Sequence, residues 1–411
     1  MADLTLWFAL IAIVLTAAAL VAGIVMRAPL SFPMLFFGLG IALGQGVLGI
    51  VNISPHTPAL TAVATLSLAL VLFLDAVNLQ VDELRRDWRI PVLSLGPGTL
   101  LTLAGVALAA HFLLGTSTVN SLLLGAVLAS TDPIVLRDVV RNERIPRSIR
   151  RALSVEAGMN DVVVLPIVLV LIAIGQGASH GPLGWLGFLA QLLVVSPLVG
   201  LAVGGVGAWL MGRADARFSV PREYQALYGL GLVLAAYSAA QAAGGDGFLA
   251  AFFAGLAVAI FDVSLCDCFL EYGEVTAEMA MLLAFLLFGA ALGPLFGAAS
   301  LVSALALAIV TIGVVRPVVM GLLLRRAKMS FAARAFIGWF GPRGLSALLL
   351  ALLVVEANAP DAIRLLTVTG VVVAFSVVAH GISATPLSNW YVSSLANPRE
   401  TAPEEREGTA A

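Results

Sequence analysis

Residues 154–166 read SVEAGMNDVVVLP and place three polar side chains, those of Glu156, Asn160 and Asp161, within an otherwise apolar stretch. A carboxylate buried in a bilayer is energetically costly and is usually kept for a function. The composition indicates a membrane protein, because 60% of the 411 residues are hydrophobic and 11% are charged, whereas soluble domains average about 25% charged residues. The stretch therefore predicts a membrane helix with charged groups in its middle.

Apolar runs recur along the whole chain, and about 20 apolar residues suffice to cross the hydrocarbon core of a bilayer. A hydropathy reading gives about thirteen such spans. The first, from Leu4 to Val25, is too long for a cleaved signal peptide and lacks a basic start. We expect an all-α polytopic membrane protein in which residues 1–396 form a single membrane domain. Residues 397–411 are expected to form a short disordered cytoplasmic tail.

The basic residues predict the orientation of the chain. Most of the 22 Lys and Arg residues follow odd-numbered spans, including the cluster from Arg137 to Arg151, whereas the loops after even-numbered spans hold only Arg364. Cytoplasmic loops are enriched in Lys and Arg, so the N-terminus is predicted outside and the C-terminus in the cytoplasm. An acidic segment that contains Asp267, Glu271 and Glu274 is predicted to be the loop after the ninth span.

Two cations and four anions lie inside predicted spans and must face the bundle interior or a water-filled cavity. They are Asp75, Asp132, Glu156, Asp161, Arg316 and Arg343. At a rise of about 1.5 Å per residue, Asp161 and Arg343 fall roughly 15 Å deep and Asp132 roughly 10 Å deep. Three different spans therefore bring charges to a similar depth, where Asp75 could reach them. This pattern indicates an ion path.

Helical spacing separates the roles of the two acidic residues in the sixth span. Glu156 and Asn160 are four residues apart and share a face. Asp161 lies about 140° around the helix from Glu156. We therefore assign Asp161 to the cavity and Glu156 to a structural partner. Arg316 is the expected partner, because a Glu–Arg pair would neutralise two otherwise unpaired buried charges.

Two predicted helices are interrupted in mid-span, by STDP at 130–133 and by GPRG at 341–344. Proline removes a backbone donor, and Ser130 and Thr131 can bond freed carbonyl groups or offer oxygen ligands. Interrupted helices in both halves of a chain suggest inverted repeats, here of six helices, with the site at their junction. Asp132 and Arg343 would each offset one helix end. Whether Asp132 is also an ion ligand stays open.

These residues together resemble the monovalent cation/proton antiporter family, in the branch of the electroneutral sodium/proton exchangers. The resemblance covers residues 1–390 and rests on Thr131-Asp132-Pro133, Glu156 with Asn160-Asp161, Arg316, and the stretch from Gly338 to Gly344. It implies a homodimer in which each subunit has two unwound helices that cross. It also implies a core domain (about 90–175 and 299–388) that moves like an elevator against a dimerisation scaffold (about 4–80 and 184–297).

The resemblance further implies that Asp161 carries the cation and the proton in turn. The residues expected to bind the ion or the proton are Asp161, Asp132, Thr131, Asn160, Asp75 and Ser130, with Asp161, Asp132 and Thr131 as direct ligands of a monovalent cation. Glu156, Arg316 and Arg343 are expected to give electrostatic support. Hard cations prefer oxygen ligands, and burial of a carboxylate favours its protonated form. Relatives often have Ser after the glutamate, whereas this chain has Ala157.

Competition for one site combined with alternating access produces exchange without a cofactor or ATP. Because Asn160 cannot ionise, we expect one cation per proton and no net charge movement. Na⁺ is the leading ion, Li⁺ is an option and K⁺ is the runner-up. A gated cation channel and a membrane-embedded hydrolase are the alternatives, and we expect a transporter rather than an enzyme. The expected location is the cell membrane, with lipid contacts. A net charge of −2 argues against nucleic acid as a partner.

Overall fold

The structure, a computed structural model, describes residues 2–25, 31–79, 89–132, 136–177, 181–261, 263–294, 301–327 and 329–395. Pro133 and the predicted tail at 397–411 lie outside these residues. The α-helices are α1 (Ala2–Val25), α2 (Phe32–Leu43), α3 (Pro58–Val77), α4 (Arg89–Leu93), α5 (Thr99–Leu114), α6 (Thr118–Ala129), α7 (Arg137–Arg141), α8 (Arg147–Gly175), α9 (Pro182–Ala190), α10 (Ser196–Phe218), α11 (Arg222–Ala242), α12 (Gly247–Phe261), α13 (Val263–Leu292), α14 (Leu301–Val310), α15 (Arg316–Leu323), α16 (Phe331–Trp339), α17 (Leu345–Glu356) and α18 (Ala362–Leu395).

The protein is an all-helical, multi-pass membrane protein, as the sequence predicts. Within the described residues, seven continuous helical stretches are long and apolar enough to cross a membrane, and five shorter apolar helices accompany them. Backbone bridging in this part of the chain is limited to an isolated contact between Gly44 and Val51. A bilayer accepts helices because all their backbone groups are bonded within the segment.

The acidic segment after the ninth predicted span is helical, so its prediction as a loop was wrong. α13 runs without interruption from Val263 to Leu292 and includes Asp267, Glu271 and Glu274. The segment contains no proline, and Leu, Met, Ala and Glu all have high helix propensity. Its charges shorten the apolar run but do not interrupt the helix. Hydropathy alone cannot distinguish a polar stretch of helix from a loop.

Residue contacts divide the chain into two compact units. The first comprises Met1–Thr61, Arg89–Asn160 and Leu282–Ala411, and the second comprises Ala62–Trp88 and Asp161–Met281. The first unit therefore contains both predicted helix breaks. The assignment of a moving core and a dimerisation scaffold to particular spans stays a prediction.

Among the described residues, π-helical turns widen helices at Ser94–Gly98, Gln191–Val195 and Thr311–Val315. The last two directly precede Ser196-Pro197 and Arg316-Pro317. A proline ring clashes with the carbonyl four residues earlier in a regular α-helix, and a wider turn relieves that clash. The amide of Arg316 donates to the carbonyl of Thr311, five residues earlier. Such turns are frequent at functional sites, and this one directly precedes Arg316.

An apolar cluster in the first unit joins the segment that follows the first break to the two helices that precede the second. It includes Leu153 and Ala157 of α8, Met320 of α15, and Phe336 of α16, all at most 2% exposed. The ring of Phe336 also stacks on Tyr391 of α18, with centroids 4.8 Å apart. Apolar packing of this density resists rearrangement, because interiors are close-packed. The cluster therefore gives the polar site a firm support on one side.

Candidate functional site

The first helix break lies at residues 130–132. α6 begins after Ser117, whose hydroxyl accepts the amide of Asn120, and it ends at Ala129. The last carbonyl groups of a helix have no partner within that helix. Here the carbonyl groups of Ala129 and Ser130 both accept from Nη1 of Arg343, at 2.8 Å each. A guanidinium group from a distant part of the chain thus neutralises the negative end of α6.

The second break lies at residues 340–344, between α16 and α17. Pro342 disfavours helical backbone in the residue before it, and α16 ends at Trp339. α17 begins at Leu345, whose amide donates to Oδ2 of Asp132 at 2.7 Å. The amide of Asp132 in turn donates to the carbonyl of Pro342 at 2.9 Å. A carboxylate from the first break therefore caps the helix that leaves the second break.

Each break thus supplies the charged side chain that neutralises a helix end at the other break. Asp132 serves the positive end of α17 and Arg343 serves the negative end of α6, and both residues are buried, at 2% and 0% exposure. The sequence predicts that each of these charges offsets a helix end, and the contacts confirm this. The role of Asp132 as a cation ligand stays a prediction.

Two glycines of the second break are required by close contacts, which the sequence analysis did not single out. A Cβ atom on Gly344 would overlap the carboxylate of Asp132, and one on Gly341 would overlap the guanidinium group of Arg316. Glycine lets a backbone approach another group more closely than any other residue does. The two glycines of GPRG were the available signal, but the sequence does not say what approaches them.

Glu156 and Arg316 form a buried ion pair, as predicted. Nη1 of Arg316 lies 2.6 Å from Oε1 of Glu156, and the two side chains are 3% and 2% exposed. Nη2 of Arg316 also donates to the carbonyl of Phe340 at 3.3 Å. The pair therefore connects α8 and α15 with the last residue before GPRG.

Asn160 connects α8 with the first break. Its Nδ2 donates to the carbonyl of Ala129 at 3.1 Å and to the hydroxyl of Thr131 at 3.3 Å. Among the described residues, its buried Oδ1 has no hydrogen-bond partner. An unpaired buried carbonyl oxygen is unusual and is an oxygen of the kind that a hard cation binds.

The remaining predicted site residues have these positions. Ser130 and Thr131 are buried in the first break, at 1% exposure each. Asp161 directly follows Asn160 in α8 and is 3% exposed. Asp75 lies near the end of α3, partly buried. Asp75 and Asp161 both belong to the second unit. Their roles, like those of Ser130 and Thr131, stay predictions.

Ala157, which stands where relatives often have serine, belongs to the apolar cluster with Leu153 and Phe336. It offers no oxygen. The sequence analysis also left out Ser376, whose hydroxyl accepts the amide of Arg343 at 2.7 Å. Its only sequence signal is a polar pair with His380, four residues apart on an apolar helix, which is also typical of ordinary helix packing.

The chain is similar to known proteins over most of its length. The chain is 27% identical over 392 residues to the K(+)/H(+) antiporter NhaP of Alkalimonas amylolytica, covering 92% of this chain and 65% of that protein. It is 25% identical over 397 residues to the K(+)/H(+) antiporter NhaP2 of Shewanella baltica, covering 93% of this chain and 66% of that protein. The chain thus spans slightly less than two thirds of the length of these relatives.

A solved structure has a similar fold. The sodium proton antiporter MjNhaP1 from Methanocaldococcus jannaschii superposes with a TM-score of 0.78 at 21% identity, covering 95% of this chain and 99% of that one. The family model described as sodium/hydrogen exchanger, transmembrane, matches residues 11–390, a range that includes both helix breaks and the Glu156–Arg316 pair. The chain therefore belongs to the transmembrane sodium/hydrogen exchanger family.

Proposed function

We propose that the chain is a secondary antiporter that exchanges a monovalent cation for a proton. The observation that supports this most directly is the mutual neutralisation of two helix breaks by Asp132 and Arg343. Broken helices that meet inside a membrane are typical of transporter ion sites, since their free backbone groups and side chains replace water around the ion. The names of the two relatives and of the solved structure support the same activity.

Asp161 is the proposed carrier of both ions. A carboxylate can bind a proton or contribute to a cation site, but not both well. Asn160, the residue before it, offers an unpaired Oδ1 and lies against Thr131. Asp132 and Thr131 are further proposed cation ligands, with Ser130 and Asp75 as additional oxygen donors. Glu156, Arg316 and Arg343 are proposed to support the site without binding the cation.

Na⁺ is the proposed cation, with Li⁺ as an option, and K⁺ is the second candidate. The case for K⁺ is that both curated relatives are named K(+)/H(+) antiporters, whereas the similar solved structure is titled a sodium proton antiporter. Proteoliposomes that contain a pH-sensitive dye test the choice. A proton gradient imposed across their membrane should collapse faster with the transported cation outside, and Na⁺, Li⁺ and K⁺ are compared at equal concentration.

The same assay tests Asp161. We expect Asp161→Asn to reduce cation-driven proton flux to the level of protein-free vesicles, because the amide keeps the size of the side chain but cannot ionise. Glu356→Gln is the matched control, since this carboxylate at the end of α17 is exposed. Retained flux in folded Asp161→Asn protein would refute the assignment. A current without coupled proton movement would instead favour a channel.

A homodimer in the cell membrane and an elevator-like movement of the core complete the proposal. The family resemblance supports both. Cross-linking of the protein in native membranes tests the dimer, and a single species at the monomer mass would contradict it.

A further inference from the structure

Helix α18 contacts the second break and the end of α16 through three polar side chains on one face. Ser376, His380 and Ser383 follow one another at intervals of four and three residues, which places them on the same side of a helix. Ser376 and His380 are buried, at 0% and 1% exposure. All three lie in the interior of α18 and do not begin or end that helix, so their contacts require a separate explanation.

The contacts form a continuous chain across the break. The amide of Arg343 donates to the hydroxyl of Ser376 at 2.7 Å. That hydroxyl lies 3.2 Å from Nδ1 of His380. Nε2 of His380 lies 2.9 Å from the carbonyl of Trp339. In the tautomer with the proton on Nε2, each of these contacts pairs a donor with an acceptor. The series of hydrogen bonds then joins the last residue of α16 to Arg343.

Two other observations bear on this arrangement. The indole N–H of Trp339 donates to the hydroxyl of Ser383 at 2.9 Å, a second contact between α18 and the end of α16. Nδ1 of His380 also lies 2.7 Å from the carbonyl of Ser376, which would suit the other tautomer.

We propose that Ser376 and His380 are positioning residues that hold the guanidinium group of Arg343 on the carbonyl groups of Ala129 and Ser130. They act by fixing the backbone on both sides of the second break. The inference rests on the proposed function, because it assigns these residues to the support of the cation site. Asn160 shares the carbonyl of Ala129 with Arg343, so a displaced guanidinium group changes the surroundings of the residue next to Asp161.

The expected effect is on cation affinity. A guanidinium group released from the end of α6 competes with the cation for the carboxylates of the site. We expect Ser376→Ala and His380→Phe each to raise the apparent KM for the transported cation by roughly five- to tenfold, the effect of about one lost buried hydrogen bond. The maximal rate per folded protein should change less than twofold. A purely structural role would lower the amount of folded protein and leave KM unchanged.

Two further variants sharpen the test. His380→Gln can place an amide N–H near the position of Nε2 and cannot ionise, so it should restore most of the affinity that His380→Phe loses. Thr367→Val is the matched control, because Thr367 is a buried residue of α18 whose hydroxyl bonds only the carbonyl of Ile363 in its own helix. An increase in KM as large in Thr367→Val or in His380→Gln as in Ser376→Ala and His380→Phe would overturn the proposal.

Hydrogen exchange gives a readout that does not depend on transport. In Ser376→Ala, the peptide that covers residues 340–346 should exchange its amide hydrogens faster, because the amide of Arg343 loses its acceptor. Unchanged exchange there would overturn the proposal whatever the transport assay shows. If the wild-type protein exchanges no cation at all, the proposed function fails, and this measurement still decides whether α18 holds the break.

Discussion

At the scale of single residues, four buried charges of the described residues each meet an opposite charge or a helix end. Glu156 and Arg316 pair directly, whereas Asp132 and Arg343 each meet backbone groups of the opposite break. Burying two charges is expensive even when they are paired, and removing one partner costs more than removing both. The sequence allows the Glu156–Arg316 pair to be predicted because two opposite charges at similar depth must be neutralised.

This asymmetry gives a prediction for the ion pair. Arg316→Met and Glu156→Leu should each lower the free energy of unfolding by about 3–5 kcal/mol, because each leaves one unpaired buried charge. The double variant should be more stable than either single variant. Thermal unfolding in detergent measures all three. Arg334→Met is the control, since Arg334 is partly exposed and donates to the carbonyl groups of Ser330 and Gly321. Additive losses in the double variant would contradict the prediction.

At the scale of elements, the two breaks depend on glycine as much as on proline. Gly344→Ala should displace the carboxylate of Asp132 from the start of α17, because the new methyl group would occupy its place. We expect a loss of about 1–3 kcal/mol in stability, as for other overpacked sites, together with a loss of cation-driven proton flux. Gly321→Ala is the control, since no atom lies within 4 Å of its added Cβ. Thermal unfolding and the vesicle assay compare the two variants, and equal behaviour would show that the contact is unimportant.

The breaks also show what the sequence reveals and what it conceals. Proline and glycine in mid-span predict both interruptions, and charge balance predicts which side chains offset the helix ends. The sequence does not reveal the contacts of Ser376 with Arg343 or of Asn160 with Ala129, because each joins a neutral side chain to a backbone group and no charge balance requires it. Apolar length likewise predicts most spans. It fails for the first half of α13, where acidic residues extend a helix beyond its apolar part.

At the scale of the whole molecule, the buried charges determine whether the proposed exchange would move net charge across the membrane. The charges of Glu156 and Arg316 cancel, as do those of Asp132 and Arg343, and Asn160 adds no charge. Asp75, also a proposed oxygen donor, adds the same charge in both directions of exchange if only Asp161 exchanges its ion. Asp161 then remains as a single proposed carrier, which either a proton or one monovalent cation neutralises. The site would therefore carry the same charge with a proton bound as with a monovalent cation bound.

We therefore predict electroneutral exchange of one cation per proton. In vesicles whose membrane potential is clamped at different values, the initial rate of cation-driven proton flux should not change, and no current should accompany it. Asn160→Asp is an informative variant, because it adds a second ionisable group beside Asp161. Its flux should become sensitive to the potential if that group titrates during the cycle. A wild-type rate that follows the potential through a current would rule out the one-to-one ratio.

The reciprocal neutralisation of the two breaks has a consequence for biosynthesis. Asp132 and the amide of Leu345 are 213 residues apart in the chain. A ribosome that adds about 5–20 residues per second needs on the order of 10–40 s to make that intervening length. During this interval Asp132 lacks the amide of Leu345, and the last carbonyl groups of α6 lack the guanidinium group of Arg343. Lipid solvates such polar groups poorly. We therefore expect the first break to reach its final buried arrangement only after the second half of the protein has been made.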